Sequence, residues 1–322
     1  DTHAADPLTV TDDFEYRYVD RDSVRAATVD SCDGGFAAQL FYRGQSSSNS
    51  EEEPSSLSTL LGVSTLLDDA GGAWSDNLTS YHRLLPHLNQ TTAARAKRLL
   101  NDDEASFRSS IVRKLHSAVE LREQVLETKG NTKLAAYSGV TVVLRCTDAN
   151  PRRMVKVFRR LWREKRILGN DALSQETQTQ QLLGFSRSVL NRSAGVPNVG
   201  PELKGFLGEI GRQARYRLHD TDLGTDIVSA VEIGAADSPS LHRLVREAVA
   251  RGLLYPSIDD ARPEYIPEEG EFQLAHALAP CFSLVPRRGV AVAVSTILSG
   301  APQRKGKQKI QGQMTLPEGE GV

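Results

Sequence analysis

Apolar residues recur at helical spacing along much of the chain. In the clearest segment, residues 148–165, positions i, i+3, i+4, i+7 and i+8 are all apolar and share one helix face: Met154, Val157, Phe158, Leu161 and Trp162. Asn150 is a suitable N-cap, and Pro151 suits the first helical position. The pattern therefore predicts an amphipathic helix that begins at Pro151.

Helical spacing also predicts the surrounding elements. Residues 78–128 are mainly helical in pattern up to the breaker at 129–131, and two later helices are predicted over Thr177–Leu190 and Pro201–Leu218. The run "SGVTVVLRC" (138–146) fits either a strand or a helix. Near the start of the chain, Phe14–Val19 alternates as a strand does.

The pattern changes over residues 237–298. Ser238 is a suitable cap for a helix that starts at Pro239 and ends at Gly252, and "LLYPSI" follows as a short strand. A polar stretch then leads to "EFQLAHALAPCFSL", which predicts a returning strand. This order of elements is typical of a winged helix-turn-helix, so the predicted fold class is mainly α with an α+β C-terminal domain.

Composition excludes several classes of protein. The chain has 322 residues, is 39% hydrophobic and 25% charged, and carries a net charge of −2, as an ordinary globular protein does. Cys32, Cys146 and Cys281 form no CxxC pair, so neither a disulfide framework nor a structural zinc site is predicted, and a reducing cytoplasm fits. No apolar run reaches the length of a membrane span, so we expect no membrane partner.

Catalytic motifs are equally absent from the sequence. The histidines form no HExxH pattern, no GxSxG elbow occurs, and no cysteine has the context of a nucleophile. We therefore expect no metal site and no catalytic residue for independent small-molecule chemistry in this chain.

The charge distribution poses a question about the helix that begins at Pro151. Eight Lys or Arg residues lie between Arg152 and Arg166, against the single acid Glu164, and two of them occupy the first helical turn. That turn carries partial positive charge from unpaired N–H groups, so acids are favoured there. Two interpretations stay open: Arg152 and Arg153 are solvated, or an anion binds beyond the helix start.

A family resemblance favours the anion. The segment "YSGVTVVLRCTDANPRRMVKVFRRLWRE" (137–164) resembles the lid of AAA+ ATPases of the origin-recognition-complex and helicase-loader type. The resemblance implies that Arg152 is the sensor-2 arginine, which reaches the γ-phosphate of bound ATP. Arg153, its neighbour, is the second candidate for cofactor binding.

The C-terminal segments resemble the same family. "SPSLHRLVREAVARGLLYP" and "ALAPCFSLVP" (277–286) are similar to the winged-helix C-terminus of bacterial origin-recognition-like ATPases. The resemblance implies a double-stranded DNA partner, with contacts from the recognition helix and from a nearby wing: Arg243, Arg246, Arg251, Arg287 and Arg288. A solvated basic face, or a winged helix that binds a protein partner or a second copy, is the alternative.

One departure from the family is large. No GxxxxGK[ST] occurs in the sequence, and "STLLDDAGG" (64–72) only superficially resembles a Walker B strand. We expect the nucleotide-binding core to lie before Asp1. ATP and Mg²⁺ would then be cofactors of the full-length protein, and this chain alone would bind neither and would not hydrolyse ATP.

These arguments predict a domain order and two classes of function. The expected order is the end of an ATPase core with a flexible loop at 44–58 (residues 1–75), a helical lid (76–170), a helical connector (171–235), a winged helix (236–300) and a disordered basic tail (301–322).

The first function is an ATP-dependent, DNA-associated AAA+ ATPase, and the second is a non-enzymatic winged-helix regulator or scaffold. The remaining cations of the helix form either a second phosphate-contacting patch or the solvent side of the lid: Arg159, Arg160, Arg163, Lys165 and Arg166.

Overall fold

The structure is a computed structural model that describes residues 61, 74–128, 134–169, 172–257, 267 and 269–298. The expected strand at Phe14–Val19, the loop at 44–58, the segment 64–72 and the tail at 301–322 lie outside these residues. The described part is predominantly helical with a small mixed sheet near its C-terminal end, which confirms the predicted fold class of mainly α with an α+β portion.

Helices make up the first part of the described chain. Residues 74–128 contain four α-helices: α1 (Asn77–Leu84), α2 (Gln90–Asp102), α3 (Glu104–Phe107) and α4 (Arg113–Glu127), with a π-helical turn at Arg108–Val112 between the last two. Four more follow: α5 (Val140–Arg145), α6 (Pro151–Leu168), α7 (Gln175–Ser193) and α8 (Gly200–His219). The segment 138–146, for which strand and helix were both open, is thus helical over α5.

Side-chain caps explain where the longer helices begin. Asn150 accepts a hydrogen bond from the backbone N–H of Arg153 at the start of α6, and Ser174 does the same for Thr177 in α7. Gly169 adopts a left-handed conformation (φ 66°) and ends α6. The predicted start of α6 at Pro151 is therefore confirmed, and the predicted bounds of α7, Thr177–Leu190, are confirmed to within a few residues.

The apolar stripe of α6 is buried except at one end. Val157, Phe158 and Leu161 lie in the core, whereas Trp162 is 41% exposed. Lys165 lies over the Trp162 ring, with its Nζ atom 5.0 Å from the ring centroid. The periodicity of the sequence identifies the buried face correctly but does not reveal where that face leaves the protein.

The C-terminal part is built around a four-stranded sheet in the order β2-β3-β1-β4. Its elements, in chain order, are β1 (Val228–Ile233), α9 (Pro239–Ala250), β2 (Leu254–Pro256), β3 (Gly270–Leu274), a 3₁₀ turn (His276–Leu278), α10 (Ala279–Phe282), β4 (Val290–Ala293) and α11 (Val294–Leu298). β3 pairs antiparallel with both β1 and β2, and β4 pairs parallel with β1.

The predicted order of elements is present. The helix is α9, the short strand is β2, the polar stretch is residues 257–269 of the sequence, and the returning strand is β3. A winged helix-turn-helix has two successive helices before its strand hairpin. In this structure α9 is the single helix between β1 and β2, and α8 precedes β1. Residues 234–253 thus contain α9 without the second helix that a winged helix-turn-helix has before its hairpin.

One core joins the helical part to the sheet. Buried residues of α4, α6, α7, α8 and the sheet belong to a continuous hydrophobic cluster. Tyr137, which is fully buried, donates a hydrogen bond from its hydroxyl to the carbonyl of Leu284 at 2.8 Å. Among the described helices, none is long and apolar enough to cross a membrane.

The close approach of α8 to α10 depends on a glycine. A Cβ atom placed at Gly211 would lie 2.3 Å from the Phe282 ring, whereas a Cβ atom at Gly208, one turn earlier, would meet nothing within 4 Å. Phe282 is buried, so the ring has little room to move. The absence of a side chain at Gly211 therefore allows the two helices to pack.

We predict opposite effects on stability for alanine at these two glycines. Gly211→Ala should lower the free energy of unfolding by about 1–3 kcal/mol, because the new methyl group overlaps Phe282. Gly208→Ala should raise it by about 0.5–1 kcal/mol through helix propensity alone. Urea unfolding of both variants checks the prediction, and equal effects at the two positions would contradict the packing described here.

Candidate functional site at the start of helix α6

The turn before α6 has an unusual backbone. Asp148 and Ala149 both have positive φ angles, 53° and 52°, although neither is glycine. Non-glycine residues in this region cost free energy and persist only where surrounding contacts hold them. The contacts of Asp148 supply this restraint.

The Asp148 carboxylate is buried among donors from a distant part of the chain. Its side chain is 5% exposed, and its oxygens accept hydrogen bonds from the backbone N–H groups of His276 (2.7 Å) and Ala277 (3.1 Å). These amides open the 3₁₀ turn that follows β3. The same carboxylate pairs with the guanidinium of Arg153.

Arg153 connects α6 to the end of α9 and the start of β2. Its side chain is 11% exposed, and besides Asp148 it donates to the carbonyl of Gly252 (2.7 Å) and the hydroxyl of Tyr255 (3.2 Å). Gly252 has a φ of 62°, and a Cβ atom there would lie 3.4 Å from the Arg153 Nη2 atom. The guanidinium is therefore held by internal acceptors on the C-terminal side of the molecule.

Arg152 is placed differently, although it is the adjacent residue. It is exposed in the first turn of α6, a turn that contains no acidic residue. The structure thus separates the two predicted cofactor-binding arginines: the side chain of Arg153 points into the protein, and that of Arg152 lies at its surface.

Further cations surround the exposed side of α6. Burial lowers the pKa of Lys156, and the nearby Arg192, Arg152 and Arg153 lower it further. The pKa of Arg192, near the end of α7, is lowered by burial and then by Arg153 and Arg160. These mutual effects mean that α6 and the end of α7 together form one region of positive potential.

The predicted DNA-binding residues of α9 are largely at the surface. Arg243 and Arg246 are exposed and one helical turn apart. Arg251, just after the helix, forms an ion pair with Glu247 at 3.4 Å. α9 therefore presents two exposed arginines on one face, and a third whose charge is partly compensated.

The two arginines predicted near the wing form bonds within the protein. Arg287 donates to the carbonyl of Arg113 (3.2 Å), and burial lowers its pKa. Arg288 donates to the carbonyl of Ser257, where the β2–β3 connection begins. Arg287 thus ties the segment before β4 to α4, and Arg288 lies beside the hairpin.

Two largely buried side chains, Cys281 and His219, are uncharged at neutral pH. Burial raises the pKa of the Cys281 thiol to about 11, so it remains protonated. Burial lowers the pKa of His219 to about 4, and its Nε2 atom lies 2.7 Å from the carbonyl of Ser283. Within the described ranges, no group of His, Cys, Asp and Glu residues is arranged to hold a metal ion.

Sequence reasoning missed Asp148, Gly252 and Tyr255. The run "TDANPRR" carried a local signal, because an acid just before a helix cap can pair with a cation in the first turn. The other partners of Arg153 and Asp148 lie 98 or more residues away along the chain. No spacing pattern in a single sequence identifies such contacts.

Comparisons with known proteins identify the family. The ORC-CDC6-like family model matches residues 1–294, so the chain belongs to this family and is a relative of the origin-recognition-like AAA+ ATPases. The resemblance inferred from residues 137–164 and 277–286 is thereby confirmed. No curated protein and no solved structure matched the chain.

We predict that Arg153 is needed for stability. Arg153→Ala leaves the Asp148 carboxylate buried without its cation, and breaking such a pair from one side costs about 3–5 kcal/mol. Arg152→Ala, at the exposed neighbouring position, is the matched control and should change the free energy of unfolding by less than about 1 kcal/mol. Denaturant unfolding of the two variants measures the difference, and equal losses would exclude a special role for the buried pair.

Proposed function

We propose that this chain is the lid and C-terminal part of an ATP-dependent, DNA-associated AAA+ ATPase. Membership of the ORC-CDC6-like family supports an AAA+-related function. In this proposal, ATP binds between a P-loop core and the lid, and Arg152 contacts the γ-phosphate. The positive end of α6 favours an anion at this place.

The observation that carries the proposal is the different placement of two neighbouring arginines. Arg152 is exposed where a phosphate would approach, and Arg153 is fixed to the turn between α9 and β2. A phosphate that draws the start of α6 toward itself also displaces Arg153. This movement would change the position of α9, so nucleotide state and the C-terminal domain are coupled through adjacent residues.

ATP hydrolysis requires chemical groups in addition to Arg152. Arg152 suits a γ-phosphate, because a guanidinium donates two parallel hydrogen bonds to phosphate oxygens. The described residues offer no metal-binding cluster for Mg²⁺, and the sequence has no GxxxxGK[ST] motif. We therefore assign to this chain the contact with the γ-phosphate, and we assign the phosphate-cradling loop and the Mg²⁺ ligands to the core of the full-length protein.

We predict that Arg152→Ala lowers the ATP turnover of the full-length protein at least about tenfold, because one charge-stabilising donor to the transferred phosphate is lost. The variant should retain the melting temperature of the parent. Steady-state hydrolysis and nucleotide affinity are the measurements, with Arg98→Ala, an exposed cation of α2, as the control. Unchanged turnover together with unchanged affinity would exclude the sensor assignment.

DNA binding in this proposal uses the exposed face of α9. Arg243 and Arg246 lie one turn apart on a short helix that precedes a strand hairpin, and Arg288 lies beside that hairpin. Cations on such a helix contact phosphates, and the hairpin can contact the neighbouring backbone. Arg251 contributes less in this arrangement because it pairs with Glu247, and Arg287 contributes less because it is half-buried, whereas Arg288 is exposed.

We predict that Arg243→Ala combined with Arg246→Ala weakens binding to duplex DNA. The slope of log K against log salt concentration should become shallower by roughly 2, since each lost phosphate contact contributes about 0.9. Lys97→Ala with Arg98→Ala, two exposed cations of α2, is the control pair. Fluorescence anisotropy over a series of salt concentrations checks this, and slopes that match for the two double variants would rule out α9 as the contact.

A protein-binding role is the second candidate function. Two observations favour this role. Arg287 and Arg288 donate hydrogen bonds to groups of the protein itself, and a single helix lies between β1 and β2. Each of them reduces the similarity to a DNA-binding winged helix. In that case the chain acts as a regulator or scaffold and contacts a protein partner or a second copy. A P-loop encoded upstream of Asp1 favours the ATPase, and a start codon near Asp1 favours the regulator.

A further inference from the structure

The outward face of α6 carries a continuous row of cations. Given about 100° of rotation per residue, the side chains opposite the buried stripe fall within a narrow arc. The members of this row, here named the α6 stripe, are Lys156, Arg159, Arg163 and Arg166, and Arg160 flanks it. All four members of the stripe are exposed, and the flanking Arg160 is partly exposed.

The α6 stripe is not neutralised by the protein. A solvated basic helix commonly has acids three or four residues from its cations, which form ion pairs. In the part of the chain that the structure describes, no carboxylate forms an ion pair with a member of the stripe, with Arg160 or with Arg192. Burial and then the nearby Arg192 lower the pKa of Lys156, and burial, Arg153 and Arg160 lower the pKa of Arg192, so like charges lie near one another on this surface.

A second helix adds to this positive surface. The Arg160 guanidinium lies against α7, where a Cβ atom at Gly184 would be 3.1 Å from its Nη1 atom. Any larger side chain at Gly184 would displace Arg160. Arg192, at the end of α7, lies on the same side, as its electrostatic effect on Lys156 shows. α6 and α7 therefore place several cations on one surface, where their positive charges repel one another.

We propose that the α6 stripe binds the phosphate backbone of a nucleic acid, on a surface separate from α9. From Lys156 to Arg166 the stripe extends about 15 Å along the helix axis. One DNA strand carries a phosphate about every 3.4 Å along its axis, so the stripe faces roughly four or five phosphates with four cations and Arg160. Such a contact reads no base sequence.

The composition of the surface favours nucleic acid over an acidic protein. Protein interfaces have an apolar centre with a polar rim. The exposed apolar side chains near the α6 stripe, Ile167 and Leu168, are confined to its C-terminal end, and Trp162 lies to one side beneath Lys165. Arginine guanidinium groups suit phosphate oxygens, and an exposed aromatic ring beside them suits a base of a single strand.

The experiment compares matched triple variants of the whole chain. The first replaces three stripe arginines, as Arg159→Gln, Arg163→Gln and Arg166→Gln, and the control replaces three exposed cations of α2, as Arg95→Gln, Lys97→Gln and Arg98→Gln. Glutamine and arginine have similar helix propensities, so both variants should keep the fold, which circular dichroism and thermal melting verify. The probes are a random-sequence 20-base-pair duplex and one of its strands, titrated at several salt concentrations.

The stripe variant should bind at least tenfold more weakly than the control at low salt, and its salt slope should be shallower by roughly 2–3 for the duplex. Stronger loss with the single strand would identify that strand as the form bound. Equal binding by the two triple variants would overturn the proposal. The absence of any DNA binding by the parent chain would also overturn it. So would a preference of the parent chain for polyglutamate, used as an acidic polypeptide, over DNA.

The proposal goes beyond the proposed function and does not depend on ATP or on α9. The Arg243→Ala and Arg246→Ala variant, measured on the same probes, separates the two surfaces. If only the α9 variant loses affinity, the α6 stripe is not a contact and the assignment to α9 stands. If only the stripe variant loses affinity, the assignment to α9 fails and the stripe stands. Losses in both variants support two phosphate-contacting surfaces.

Discussion

The buried pair of Asp148 and Arg153 is the interaction on which the arrangement of the two halves depends. It fixes the start of α6 against the turn after α9 and against the 3₁₀ turn that follows β3. A buried ion pair is not a large source of stability by itself, because both ions are taken out of water. The pair instead fixes positions, because the acceptors of Arg153 and the donors to Asp148 belong to separate segments of the chain. Each set of hydrogen bonds therefore restricts where the other segment can lie.

The same pair explains why Arg152 and Arg153 can be adjacent cations at the positive end of a helix. The charge of Arg153 is compensated by Asp148 and by carbonyl oxygens, so it does not destabilise the first turn of the helix. Arg152 keeps the unfavourable position at the surface. An anion bound beside Arg152 would offset the repulsion between its charge and the positive helix end. Without an anion, the repulsion is limited because the charge of Arg153 is already compensated by Asp148.

Much of the fold could be predicted from local sequence. The cap at Asn150, the proline at 151 and the apolar spacing of α6 together specified a helix with nearly correct bounds, because these effects act within a few residues. α7, α8 and α9 were predictable for the same reason. The segment at α5 was not, because six residues rich in valine suit either a strand or a buried helix, and only packing decides between them.

The candidate site was predictable in part. The two arginines were evident from their place in the first turn of a helix, and the family resemblance pointed to the same residues. The inward orientation of Arg153 was not evident, because it is determined by Gly252 and Tyr255 on another element. The bonds of Arg287 and Arg288 were hidden for the same reason, since their carbonyl partners at Arg113 and Ser257 carry no side-chain signal.

The left-handed turn at Asp148 and Ala149 has a consequence for the order of folding. α6 can form early, because its cap, its proline and its hydrogen bonds are local. The turn before it cannot settle at the same time, since the amides that hold Asp148 follow it by 128 and 129 residues. During synthesis, α6 therefore exists as a helix whose entry angle is undecided until β3 and the turn after it have emerged. Closure of this long loop, rather than formation of the helix, completes the joint between α6 and the sheet.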